Sequence, residues 1–215
     1  MQFDLTAIDA LLQYKLLSAT VTPRPIAWVS SLDAKGRLNV APFSFFNVFG
    51  EDPPVLAFSI LSRSREDLKD TGANVRRRGE FVVNLVGEDN LHQMNVTAIE
   101  FAPNVSEIAE AGLTPHPSLK IATPRILESP VSLECRLMRV IELGAMRSLV
   151  LGEVLAIHIR DDAVVDAARG YVDTPSLRLI GRAGANSYVT TTDVIRLPML
   201  SLAEWQANAA AAAVR

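Results

Sequence analysis

Two long alternating segments constrain this chain more than anything else in it. Residues 131–142 and 148–159 carry polar and apolar side chains in turn and are rich in strand-forming residues, with Leu143-Gly144 between them. Such a period-two pattern predicts two long strands meeting at a turn. Further strands are expected at 26–31 and 38–42, forming a hairpin across Leu32-Asp-Ala-Lys-Gly36, and at 55–60 and 81–85. Helices are expected at 7–14 with Thr6 as N-cap, at 64–78 with Ser64 opening and Gly79 closing, at 89–98, at 106–111 and in an alanine-rich tail from Leu202. Residues 161–178 read as a loop. The six to eight strands do not alternate regularly with helices, which argues against a parallel α/β sheet. The expected fold class is mainly β: an antiparallel β-barrel with peripheral helices, formed by one domain over residues 1–215 with a helical tail at about 201–215.

Composition supplies room and several exclusions. The chain has 215 residues, 49% hydrophobic, with 21 basic and 24 acidic side chains, so it can bury a sizeable core and carries no basic excess for nucleic acid or anionic membranes. Val55 to Leu61 is the longest apolar run considered, and it is strand-sized. The N-terminus lacks a basic start followed by an apolar block, and Cys135 stands alone, so no signal peptide and no internal disulfide are expected; the expected location is cytoplasmic. His92, His116 and His158 are not spaced as metal ligands, and no metal is expected. Nucleotide-binding glycine loops and the G-x-S-x-G elbow are missing as well.

Three segments are unusual for a plain barrel. In Thr22-Pro-Arg-Pro-Ile-Ala-Trp28 two prolines restrict the backbone around Arg24 at a strand entrance, a setting suited to phosphate or carboxylate recognition or to a surface arginine in a rigid turn. In Asn39-Val-Ala-Pro-Phe-Ser-Phe-Phe-Asn47 the proline should interrupt strand pairing. The freed backbone groups could meet a flat polar heterocycle, while at least one of Phe43, Phe45 and Phe46 belongs to the core. In Leu61-Ser-Arg-Ser-Arg-Glu-Asp-Leu-Lys-Asp-Thr71, Arg63, Ser64 and Lys69 could converge on one phosphate at a helix start, or simply form a solvated, capped helix. His158 ends a strand, as a rim residue or as a proton carrier.

In order and spacing these segments resemble one family. The stretches TPRPIAWVSSLDAKGRLNVAPFSFFN (22–47), RSREDLKDT (63–71), GEFVVNL (79–85), MNVTA (94–98), AGLT (111–114), ESPVSLEC (128–135) and LGEVLAIHI (151–159) are similar to flavin reductase-like proteins with the FMN-binding split barrel, in the subgroup that includes flavoredoxin. The resemblance covers residues 14–192. It implies a six-stranded antiparallel Greek-key split barrel that forms a homodimer with FMN near the subunit interface. It implies that Arg24 and the strand Trp28, Val29, Ser30 border the flavin. Ser44, Phe45, Phe46 and Asn47 would meet the ring edge, and Arg63, Ser64, Lys69, Asp70 and Thr71 would surround the phosphate end. The Ile180 to Tyr188 stretch departs from the family pattern, leaving Arg182 and Tyr188 unassigned.

The function implied is hydride transfer from NAD(P)H to flavin, with reduced flavin supplied to a partner monooxygenase. FMN and NAD(P)H would be the cofactors, and no single catalytic residue is required because the cofactor carries the reaction. Alternatives are an FMN-bound electron carrier without efficient use of NAD(P)H, and a non-catalytic binding module.

Overall fold

The computed structural model describes residues 1–62, 70–101 and 106–206. In chain order the elements are α1 (Ala10–Thr20), β1 (Arg24–Pro25), β2 (Ala27–Leu32), β3 (Leu38–Phe43), β4 (Phe46–Glu51) and β5 (Pro54–Leu61). Then come α2 (Asp70–Arg78), β6 (Glu80–Leu85), α3 (Leu91–Val96), α4 (Glu107–Glu110), β7 (Pro115–His116), β8 (Arg125–Ile126), β9 (Val131–Glu142) and β10 (Arg147–Ile159). The last elements are β11 (Val164–Asp166), β12 (Tyr171–Val172), β13 (Ile180–Arg182) and β14 (Tyr188–Thr190), and a helix begins at Leu202.

The main sheet is antiparallel, in the order β3-β2-β6-β9-β10-β5-β4. Laid flat, its edge strands would stand about 29 Å apart. Yet β3 and β4 are joined only by Ser44 and Phe45, which reach at most about 11 Å. The sheet therefore curls until its edges meet. β3 and β4 follow one another across a two-residue bend, and the sheet has seven hydrogen-bonded strands where six were expected. Pro42 does not end the pairing: the ladder with β2 runs to Phe43. Proline is tolerated there because β3 is an edge of the sheet.

Alternation along β2 sorts the core. Ala27 and Val29 face the barrel interior with Leu56, Phe58, Phe81, Val83, Cys135 and Val150. Trp28 faces the outside, where Ile26, Met94, Ile108, Ile126 and Ile180 cover it. The interior is tight: a Cβ on Gly152 would stand 2.5 Å from Phe81 Cζ.

Several local expectations need correction. The first helix starts at Ala10, not residue 7, because Asp9 rather than Thr6 caps it by accepting from Leu12 N–H at 2.9 Å. Thr6 is instead bonded to Asp4. β4 was not anticipated as a strand. Residues 161–178 hold the β11–β12 hairpin rather than loop alone. The second helix does end at Gly79, whose φ of +70° suits a glycine after a helix and whose N–H donates to Val75 C=O. Most of its proposed first half lies outside the described residues.

Candidate functional site

The bend between β3 and β4 opens a pocket of about 330 Å³. Arg24, Ser44, Phe45, Phe46 and Asn47 line one side; Leu17, Val21, Pro23 and Pro25 complete it. Phe43 and Phe46 pack toward the barrel interior. Phe45 turns the other way, 6.2 Å from the Tyr14 ring. The Arg24 guanidinium stands 5.9 Å from its centroid and the Arg147 guanidinium 5.1 Å.

Arg24 is 7% exposed and organises this wall. Its Nη1 donates to the carbonyls of Ser18 and Val21, and its Nη2 to Ala183 C=O. It thus ties the C-terminal end of α1, where carbonyls are left unpaired and the helix dipole is negative, to the turn after β13. Its Nε has no partner. Burial lowers the Arg24 pKa, Tyr14 acts against that shift, and Arg182 adds to it. Arg182 lies directly opposite Arg24 across the β1–β13 pair. It stacks 4.5 Å from the Tyr188 ring and donates to Tyr188 Oη and Ala185 C=O.

The strand residues expected to border the flavin do not line this pocket. Trp28, Val29 and Ser30 are fully buried. Trp28 donates to Thr97 Oγ1 at 2.9 Å and Ser30 to Pro124 C=O at 2.8 Å. Their backbone lies between β3 and β6 in the sheet. Thr71 is buried in the first turn of α2 and accepts from Asn39 Nδ2 at 3.0 Å. Asp70 is the first residue of that helix and is exposed. Asn39 in β3 and Ser44 just beyond its end are five residues apart, about 17 Å, so one elongated ligand could touch both. Arg63, Ser64 and Lys69 lie outside the described residues.

His158 is built into a different polar cluster, at the opposite end of β10 from Arg147. Its Nε2 is 2.5 Å from Glu134 Oε1. Glu134 is fully buried and also accepts the backbone N–H groups of Leu119 and Lys120, each at 2.6 Å. Burial pushes this carboxyl up, but those hydrogen bonds outweigh it and hold Glu134 below the ordinary carboxylate range. Nearby, Asn84 donates to Trp28 C=O and Ser30 Oγ and accepts from Ile126 N–H and Ser132 Oγ. Among the described residues no group of three or more His, Cys, Asp or Glu could hold a metal, and no helix is long and apolar enough to cross a membrane.

Tyr14, Arg147 and the Arg182–Tyr188 pair were not assigned to the site from sequence. Arg147 had no local signal: it is the first residue of an alternating strand, and the pairing of β10 with β5, and of β5 with β4, brings it to Phe45.

An antiparallel barrel of this kind, with peripheral helices, is a split-barrel fold. The profile of the flavin reductase like domain matches residues 19–175, and the chain belongs to that family. The 2-nitrobenzoate 2-nitroreductase NbaA of Pseudomonas fluorescens superposes with a TM-score of 0.85 at 33% identity, covering 94% of this chain and 98% of that one. Nitrilotriacetate monooxygenase component B of Bacillus cereus gives 0.86 at 32% identity, covering 92% and 98%. Flavoredoxin of Desulfovibrio vulgaris (Miyazaki F) shares the fold, at 0.74 and 20% identity over 92% and 97%.

Proposed function

We propose that this chain is an FMN-binding oxidoreductase that takes hydride from NAD(P)H and hands the electrons on, with a monooxygenase as the recipient. The observation that carries the reading is the pocket at the β3–β4 bend: an aromatic wall, a run of backbone at residues 44–47, and a buried arginine whose Nε lacks an acceptor. A planar ring with acceptor atoms on its edge fits those groups. The likeness to a monooxygenase component supports the choice of recipient.

Bound FMN would supply the hydride-accepting and electron-transferring chemistry. The protein's part is to bind and orient it. Ser44, Phe45, Phe46 and Asn47 would hold the ring edge, and Arg24 would keep α1 closed against it. Asp70 and Thr71, with Arg63, Ser64 and Lys69, would form the phosphate end; Asp70 would orient a basic neighbour or the ribityl hydroxyls. Trp28, Val29 and Ser30 would act from beneath, by fixing the strand. Beside the pocket, Leu11, Tyr14, Leu17 and Val21 are exposed along and just beyond one apolar helix, which supports a homodimer covering α1.

The visible spectrum of the purified protein tests the flavin: a colourless chain that cannot be loaded with FMN sinks the reading. Rapid mixing of loaded protein with NADH and NADPH tests hydride transfer. Flavin that stays oxidised with both leaves an electron carrier instead. Lys69→Ala should weaken FMN by ~1.5–3 kcal/mol and riboflavin much less, since only FMN carries the phosphate. Equal weakening, measured by fluorescence titration, contradicts that assignment.

A further inference from the structure

Two apolar surfaces of this chain find no cover on the chain itself. The first is an arm. Beyond β14 the backbone is held once more, where Thr191 N–H and Oγ1 donate to Leu179 C=O at 3.2 and 3.0 Å. From there residues 193–206 are exposed without a break. Among the described residues, the hydrogen bonds of that segment run only between Ser201, Glu204 and Trp205. The alternate residues Ile195, Leu197 and Met199 are 96%, 88% and 95% exposed, and extended backbone puts alternate side chains on one side. Leu202 and Trp205, also more than half exposed, follow at helical spacing. Arg196 is the one charged residue from 194 to 202, and depletion of charge is what marks the centre of an interface. The second surface is α1, which is built inside out. Its buried residue is Ser18, whereas Leu11, Tyr14 and Leu17, with Val21 just beyond the helix, are exposed at a spacing that puts them on one side.

We propose that the arm is exchanged between two copies of this chain, residues 193–206 of each lying on the outer face of α1 of the other. The arm offers about the 800 Å² of surface that each partner of a standard interface buries, so two reciprocal contacts suffice for a stable dimer. Residues 192–200, fully extended, reach about 30 Å from the anchor at Thr191, enough to leave their own barrel and run the length of an eleven-residue helix, about 16 Å. Sticky arm and receiving helix belong to the same chain, so a twofold exchange covers both surfaces at once and leaves neither open to a third copy. The proposal deepens the homodimer reading of α1 by naming the segment that covers it; its chemistry does not depend on flavin.

Sedimentation equilibrium of the full chain and of two variants tests it. The arm variant carries Ile195→Glu, Leu197→Glu and Met199→Glu together; the helix variant carries Leu11→Glu. All four side chains are exposed in the single chain, so both variants should keep the parent's circular dichroism. The parent should be a dimer. Pairing should weaken about a hundredfold or more in the arm variant and about tenfold or more in the helix variant. Mixing the two variants should restore part of the pairing, because a mixed dimer keeps one intact arm on one intact helix. A mixture that pairs no better than either variant alone overturns the assignment of arm to helix, as it would if arm met arm and helix met helix. An arm variant that pairs like the parent overturns the proposal and leaves the homodimer reading standing; a monomeric parent overturns both. The visible spectrum of the same samples keeps the flavin apart: a chain that exchanges arms but cannot be loaded with FMN sinks only the flavin reading.

Discussion

Two buried polar regions of this barrel are built on opposite plans. Around Asn84 both amide hydrogens and the amide oxygen are used, and each partner is a neighbouring strand or the crossing segment 124–126. Close by, Glu134 draws two backbone N–H groups and His158 onto one carboxylate, while Glu80 accepts from both the N–H and the hydroxyl of Thr123. Around Arg24 the accounts stay open: a donor lacks an acceptor, and like charges face each other across a strand pair. A satisfied network rigidifies, and an unsatisfied one costs stability unless something binds. The contrast rests on the facing charges, because Arg125 Nε, in the crossing segment beside Asn84, is also buried without a partner.

The comparison breaks if the closed region proves dispensable. Asn84→Ala should cost about 3–5 kcal/mol in chemical unfolding, because it leaves two donors and two acceptors buried without partners. In protein that remains folded, pocket binding should be unaffected. Gly152→Ala probes the apolar wall inside the barrel. With Phe81 in the way of the new methyl group, a loss of about 1–3 kcal/mol is expected, and a neutral result would show that the interior can yield.

Glu134 sharpens the comparison through pH. Its carboxyl is held below the ordinary range in the folded chain, so its stabilising contribution is complete above that range and disappears as pH falls through the lowered value. Glu134→Gln should therefore cost about 1–3 kcal/mol near neutrality and progressively less in acid, as followed by urea unfolding at several pH values. A difference that does not change with pH contradicts the assignment. The smallest effect on stability belongs to the open region. Arg147→Met should change it by no more than about 0.5 kcal/mol.

Much of the fold could be read directly. The long strands at 131–142 and 148–159, the hairpin through Gly36 and the helix end at Gly79 follow local patterns, and the structure keeps all of them. Local patterns misled where two signals compete within a few residues, as when Asp9 displaced Thr6 as a cap. β4 was missed because an aromatic cluster next to a proline reads as a strand end. Only pairing with β5 makes it a strand.

The site divides in the same way. Arg24 and Ser44 to Asn47 were legible because prolines and aromatics mark unusual backbone in the sequence itself. The sequence alone determined the mainly β class, the family membership and the residues along one wall of the pocket, since these depend on patterns a few residues long or on the order of such patterns. The tertiary structure decided that Trp28 and Ser30 are buried, that His158 serves Glu134, that Arg182 faces Arg24 and that Arg147 reaches Phe45. Those facts depend on which segments pair with which, and that pairing brings residues far apart in the chain to within a few ångströms; no local periodicity records a strand's partners.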